Sequence, residues 1–264
     1  MKFSTIFLDM DGILSNFHLE AVRCHIKAGR RLPHIFQADN PLQLKNPQLE
    51  ASWPRGLSLQ KYMGQTDLGK PKVSQEEFWE PINRDPCFWR LIPPYDNFKE
   101  VVKLCQTHAH EVVITTHAHH TPSCHAGKRE WLDLHGLGDF AYITIRQKWR
   151  LADPTCLILD DFEQHIKDWR RELRKRWGIE GVVIPPANLE SPKPIGCFAI
   201  LYPQPWNANH QYIHRQLEYV EERIRFYLEP RHRVDPHTTR LPLATDMVRS
   251  GPEASTGETG AMGD

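Results

Sequence analysis

Apolar and polar positions fall into blocks along this chain, and the first block carries the most information. Phe3 to Leu8 is a short apolar run, rich in aromatic and β-branched residues, that ends abruptly in Asp9-Met10-Asp11-Gly12. A run of that length bounded by turn residues predicts a buried strand. It delivers acidic side chains to the carboxyl edge of a sheet, where open α/β sheets bind their ligands. Residues i and i+2 of an extended chain point the same way, so Asp9 and Asp11 can face one site, and Gly12 lets the backbone turn away.

Between residues 16 and 98 the periodicity breaks up around Pro33, Pro41, Pro47, Pro54, Pro71, Pro81 and Pro86, with Trp53, Trp79, Phe88 and Trp89 interleaved. Proline interrupts both helices and strand ladders, so only two helices are expected there, Phe17 to Ala28 and Ser74 to Asn83. Ser74 is followed three residues later by Glu77, the spacing of a capping box. The segment 16–98 reads as a small, mostly helical cap inserted after the first strand.

Regular alternation resumes at residue 99. Phe98, Val101, Val102 and Cys105 form a helical stripe, Val112 to Thr115 a strand, and Lys128 to Leu134 a helix ended by His135-Gly136. Ala141 to Ile145 and Cys156 to Leu159 are further strands. Phe162, Ile166, Trp169, Leu173 and Trp177 then mark one apolar helix face. Two more strands are expected at Val182 to Ile184 and Phe198 to Leu201, and an amphipathic helix at Gln211 to Leu228. Strands alternating with helices predict an α/β fold, a Rossmann-like core with a mostly parallel sheet built from residues 1–15 and 99–228. Residues 229–264 lack periodicity and read as a disordered tail.

Composition narrows the classes. A chain of 264 residues can bury one substantial core and carry an insertion. Its 33 basic and 33 acidic side chains balance, so no global field argues for a nucleic acid or an anionic membrane as partner. The six cysteines (Cys24, Cys87, Cys105, Cys124, Cys156, Cys197) contain no CxxC pair and read as reduced thiols. No apolar run reaches the roughly 18 residues of a membrane span, and the N-terminus has no signal-peptide pattern; a soluble, cytoplasmic protein is expected.

The chemistry lies at the strand ends. Asp9 and Asp11 follow the first strand, Thr115 and Thr116 the second, Lys148 the third, and Asp160 and Asp161 the fourth. A parallel sheet gathers those ends into one crevice. Carboxylates from two strands can hold Mg²⁺, while a hydroxyl and a lysine can hold phosphoryl oxygens, which fits phosphoryl transfer.

These motifs resemble those of the haloacid dehalogenase (HAD) superfamily: Asp9-Met10-Asp11-Gly12, Val113-Ile114-Thr115-Thr116, Lys148, and Ile158-Leu159-Asp160-Asp161. Within it the chain is similar to the 5'(3')-deoxyribonucleotidases through Phe17, Phe88 to Pro94, Lys128 with Trp131, Trp169, and Tyr202 to Asn207. The resemblance implies a Mg²⁺-dependent phosphomonoesterase with an aspartyl-phosphate intermediate. Asp9 would be the nucleophile and Asp11 the general acid and base, with Thr116 and Lys148 on the phosphate. Asp9, the Asp11 backbone carbonyl and the Asp160/Asp161 pair would hold the metal, the two aspartates being indistinguishable at this level. Phe17 and cap aromatics such as Trp89 would wall a nucleoside pocket, and His117 and Lys128 join the substrate-binding set. The chain departs from relatives at Ser15-Asn16, where they often carry an acidic residue, and at His117, where they have a small polar one. The implied substrate is a (deoxy)nucleoside monophosphate; another small phosphoester, such as a sugar phosphate or a nucleic-acid 3'-phosphate, and a non-catalytic nucleotide-binding module are the alternatives.

Other features have plainer readings. His117, His119, His120 and His125 sit in one loop with Cys124, without the support a zinc site needs. The run Lys167 to Arg176 is a solvated helix face broken by Asp168 and Glu172. Lys128 is either a second phosphate ligand or an exposed lysine at a helix start. The C-terminal helix either packs on the sheet or supports a homodimer.

Overall fold

The computed structural model describes residues 1–29, 74–117, 119, 121–179, 182–183, 195–204 and 206–229. Five strands form one sheet: β1 (Phe3–Asp9), β2 (Ala109–Thr116), β3 (Ala141–Thr144), β4 (Leu157–Asp160) and β7 (Ala199–Leu201), in the order β3-β2-β1-β4-β7. Every pairing in it is parallel. The chain works outward from β1 to β3, then returns to place β4 on the other side of β1. The order therefore reverses between β1 and β4, which is where such sheets open a crevice. The expected α/β core with a parallel sheet is what the chain forms.

Alternation within the strands sorts side chains to two faces. Ile6, Leu8, Leu157, Leu159 and Ile200 enter the larger core with Val101, Val102 and Cys105 of α4 (Phe98–His108) and Val220 and Ile224 of α7 (Gln216–Leu228). Phe7, Ile158 and Ala199 face the smaller core, under Ile166, Trp169 and Leu173 of α6 (Glu163–Trp177). Helices cover both faces, so β4 is buried along its whole length.

The insertion leaves and rejoins this core as a paired neck. Ser15 bridges to Pro94, Asn16 N–H donates to Pro93 O at 2.8 Å, and Tyr95 N–H donates to Leu14 O at 2.9 Å. Its described parts are α1 (Phe17–Lys27), α2 (Gln75–Arg84) and the short α3 (Phe88–Leu91). Ser74 caps α2 through the expected capping box with Glu77. Phe17, Trp79, Phe88 and Trp89 cluster beneath these helices, with Phe17 stacked on Trp89 at 5.9 Å between centroids. Trp53 and the prolines from Pro33 to Pro71 fall outside the described residues, as does the expected tail beyond Glu229.

Several expected boundaries shift. The helix expected from Lys128 is α5 (Pro122–Leu134) and begins at Pro122, whose missing N–H costs nothing in a first turn. Val182–Val183 does not join the main sheet; as β5 it pairs antiparallel with β6 (Ile195–Gly196). The last helix starts at Gln216, after a 3₁₀ turn at His210–Arg215. On α6 the apolar stripe is buried in its middle, while Phe162 and Trp177 at its ends are exposed. Its basic residues pair locally, Lys167 with Glu163, Arg171 with Asp168 and Arg176 with Glu172, as a solvated face does. All six cysteines are free. Among the described residues no helix is long and apolar enough to cross a membrane.

α5 presses against α3 at Gly127, where an added β-carbon would lie 2.6 Å from Trp89 Cβ and 3.2 Å from the Arg90 nitrogen. Gly127→Ala should therefore destabilise the fold by about 1–3 kcal/mol through overpacking, against a helix-propensity gain of about 1 kcal/mol. Urea denaturation measures the balance; a midpoint at or above the parent's would mean that the α3–α5 contact yields freely.

Candidate active site

Asp9 ends β1 and Asp160 ends β4, and the two strands pair through Leu8↔Leu159. Lys148 opens the 3₁₀ turn Lys148–Leu151 beyond β3, and its buried Nζ lies 2.7 Å from Asp9 Oδ2 and 2.7 Å from Asp160 Oδ2. Asp9 Oδ1 accepts the Met10 N–H at 2.8 Å. Asp160 is held on every side: Oδ2 also meets His165 Nδ1 at 3.0 Å, and Oδ1 accepts the Phe162 N–H at 2.9 Å. Among the described residues the Asp161 carboxylate accepts only the Trp206 indole N–H, at 3.0 Å, while Asn207 Nδ2 fixes its backbone carbonyl at 2.9 Å.

Gly12 makes this packing feasible. Its φ of +80° favours glycine, and a β-carbon there would collide with the Asp161 carboxylate. The same turn is held from the far side of the sequence, where Gln204 Nε2 donates to Gly12 O.

A second cluster gathers around Asp11. Thr116 Oγ1 donates to Asp11 Oδ2 at 2.9 Å and Ser15 Oγ to Oδ1 at 3.1 Å. Lys128 Nζ pairs with Asp11 Oδ2 and lies 2.6 Å from Thr116 Oγ1. Lys128 is fully buried, its ammonium 5.1 Å from the centre of the Trp89 ring. It belongs to the middle of α5 rather than to an exposed helix start, so the residue read two ways from sequence points into the site.

These partners drive neighbouring carboxylates in opposite directions. Burial and then the charge of Asp160 push Asp9 up to about 7, with Lys148 opposing. Burial, Asp9 and Asp160 together raise Asp161 well above the ordinary carboxylate range. Burial would also raise Asp160, but the charges of Lys148 and His165 hold it far below that range. At Asp11 burial is outweighed by Lys128 and by hydrogen bonds from Lys128, Thr116 and Ser15, so it stays below the usual value. Lys148 gains more from Asp160 and Asp9 than burial takes away, and its ammonium is held firmly.

Asp9, Asp11, Thr116, Lys128, Lys148, Asp160 and Asp161 are thus brought to one crevice. Phe17 stands beside them in the aromatic cluster, whereas Trp89, 2 % exposed, backs Lys128 and Phe17 and presents no free ring face. His117 is exposed just past Thr116 and makes no hydrogen bond to the carboxylates among the described residues. His125 and Cys124 lie in α5 rather than in the loop expected for them, and His117, His119 and His125 supply no metal-ligand group among the described residues; Asp9, Asp160 and His165 do, with ligand atoms within 4.8 Å of one another. His120 lies outside the described residues. Sequence reasoning missed His165 and Ser15. His165 lies in the first turn of a helix that follows an acidic strand end, and that position was the available signal.

No protein-family model matches the chain, and no curated sequence does. Solved structures to which the chain shows similarity include a hydrolase from Streptococcus pneumoniae TIGR4, at 11 % identity over 65 % of this chain and 90 % of that one, with a TM-score of 0.37. A Bacillus subtilis protein described as a HAD-hydrolase, solved with magnesium, aligns at 12 % identity over 85 % of this chain and 99 % of that one, with a TM-score of 0.39. A HAD-superfamily hydrolase of subfamily IA from Geobacter sulfurreducens PCA aligns at 14 % over 81 % and 96 %, with a TM-score of 0.36. These likenesses assign no residue of this chain a role; its chemistry is carried by the side chains themselves.

Proposed function

We propose that this chain is a Mg²⁺-dependent phosphomonoesterase of the HAD type, acting through an aspartyl-phosphate on Asp9. The observation that carries the reading is the division of labour between two carboxylates two residues apart. Asp9 lies on Lys148 in a carboxylate-rich pocket, and Asp11 lies on Lys128 and Thr116.

The donor set fits a divalent cation. Asp9, Asp160 and Asp161 converge on one ammonium, Lys148, which leaves two negative charges uncompensated in a buried pocket. Such charge is costly unless a cation or protons balance it, and an all-oxygen set suits Mg²⁺. Because Asp160 already has Lys148, His165 and the Phe162 N–H, Asp9 and Asp161 are the carboxylates with lone pairs to spare. These two, with the Asp11 backbone carbonyl, would hold the ion, while Asp160 positions Lys148. Bound there, Mg²⁺ would offset the charge of Asp9 and of the phosphoryl oxygens.

The chain's own groups supply the rest. Thr116, Lys128 and Lys148 offer donors to the phosphoryl oxygens, as charge stabilisation in phosphoryl transfer requires. Asp9 attacks phosphorus in line, so that a carboxylate O–P bond forms as the ester P–O bond breaks. Asp11 gives a proton to the leaving oxygen, then takes one from the water that attacks the phosphorus of the aspartyl-phosphate, restoring Asp9 and releasing phosphate. At rest Asp11 is ionised. An arriving phosphoryl group competes for Lys128 and Thr116 and adds negative charge, and both effects raise the Asp11 pKa toward proton donation. Phe17 and Trp79, both only partly buried, would take an aromatic base, which favours nucleoside monophosphates as the substrates.

Phosphate release from ribo- and deoxyribonucleoside monophosphates and sugar phosphates, with Mg²⁺ and with EDTA, tests this. Asp9→Asn should cut turnover by at least about a thousand-fold and Asp11→Asn by about 10²–10⁴-fold. Undiminished turnover in Asp9→Asn would sink the mechanism, and release from sugar phosphates alone would discard the substrate.

The cation has its own readout. Mg²⁺ binding requires ionised carboxylates, and protons compete at Asp9 below about pH 7. The rise in Tm caused by Mg²⁺ should therefore be larger at about pH 8 than at about pH 5.5, and Asp161→Asn should remove most of it. A Mg²⁺-induced shift that ignores pH, or survives in Asp161→Asn, would place the ion elsewhere.

A further inference from the structure

Beside the phosphate-binding groups, a cleft of about 740 Å³ opens at the carboxyl ends of β2 and β3, lined by His117, Thr144, Ile145, Arg146, Gln147 and Arg150. It is built on the same backbone as the crevice. Thr116 pairs with Thr144, Ile145 N–H donates to Thr116 O at 2.9 Å, His117 follows Thr116, and Gln147 precedes Lys148. Among the described residues no acidic side chain lines it. Among the described residues neither Arg146 nor Arg150 has a carboxylate partner, whereas Arg171 and Arg176 on α6 do. Arg150 is steadied by its neighbour, its guanidinium carbon 5.5 Å from the centre of the Trp149 ring.

Two unpaired guanidinium groups facing a ligand-sized cleft are an anion-recognition device, because the planar fork matches phosphate oxygens two at a time. The loop after β2 also reaches the aromatic cluster, since His119 lies 4.5 Å from Trp79. The surroundings of His117 report the same field. Partial desolvation of its ring, and then the charges of Arg146, His165, Lys148 and Lys128, all disfavour its cationic form.

We propose that this cleft binds a second phosphate of the substrate, so that the chain acts on bisphosphorylated small molecules: one phosphate meets Asp9 and the other is gripped by Arg146 and Arg150. This rests on the phosphatase reading and adds to it a substrate class that neither the strand-end motifs nor the aromatic wall specifies. Arg146 and Arg150 are specificity residues in this scheme, and they touch the substrate away from the reacting phosphorus.

The test compares paired ligands differing by one phosphate, adenosine 5'-monophosphate with adenosine 3',5'-bisphosphate and glucose 6-phosphate with glucose 1,6-bisphosphate. Phosphate release is measured on the full chain with Mg²⁺, and binding by calorimetry on Asp9→Asn. In at least one pair the bisphosphate should be preferred by about ten- to a hundred-fold in kcat/KM and in affinity, the worth of charged hydrogen bonds to phosphate. The double variant Arg146→Ala/Arg150→Ala, altered only at exposed positions, should lose that preference and keep its p-nitrophenyl phosphate hydrolysis within about two-fold. No preference in either pair, or one unchanged in the double variant, overturns the proposal. Failure of the unaltered chain to hydrolyse p-nitrophenyl phosphate strikes instead at the phosphatase reading, and the calorimetric comparison then decides the second site by itself.

Discussion

The ammonium of Lys148, held between Asp9 and Asp160, is the interaction on which the rest of the arrangement depends. Those aspartates end two strands that are adjacent in the sheet but separated in sequence by the insertion and two strand–helix units. A buried ion pair is a weak source of net stability, because desolvation consumes most of the Coulombic gain. Its worth here is positional. With Lys148 in place, the ends of β1 and β4 are held at one separation and Asp161 is left pointing into the same pocket. Without it, three buried carboxylates would face one another with no cation between them.

A second lysine makes the site asymmetric. Lys128 comes from a helix, packs on Trp89 and holds Asp11 and Thr116. Asp9 therefore shares its cation with Asp160 and is raised, while Asp11 is supplied with donors and lowered. Pairs of titratable groups pushed apart in this way are how one site assigns a nucleophile and a proton carrier among identical side chains. The residue types alone do not make that distinction. The partners delivered by β2, α5 and the turn after β3 do.

How far the sequence foretold this follows from the range of each interaction. Strand ends are local events, an apolar run stopping at a charge, so Asp9, Asp11, Thr116, Lys148, Asp160 and Asp161 could all be picked out and their convergence inferred from parallel topology. The capping box at Ser74 was legible for the same reason. What was hidden depends on partners far away in sequence. Periodicity cannot say that Lys128 turns inward, because the aspartate that draws it in lies 117 residues away. Nor can it separate Asp160 from Asp161, which differ only in what surrounds them. The strand at Val182 was expected, but its antiparallel partner at Ile195–Gly196 was not, because a short valine run looks alike in either sheet.

Chemistry and recognition are built on different parts of this fold. The groups proposed to react stand on strand ends and on buried lysines, positions where a small displacement would cost the hydrogen bonds just described. The aromatic cluster belongs to the insertion, and the arginines stand on an exposed turn, so either can change without disturbing Asp9, Lys148 or Asp160. Such a division lets one catalytic core serve many esters. It also explains why strand-end motifs are informative about a reaction and silent about a substrate. In this chain the loop after β2 is the exception, because it leaves Thr116 beside Asp11 and then meets the arginine cleft at His117 and the aromatic cluster at His119. On the proposed reading, His117 and His119 stand between the reacting groups and the two surfaces that would select the substrate.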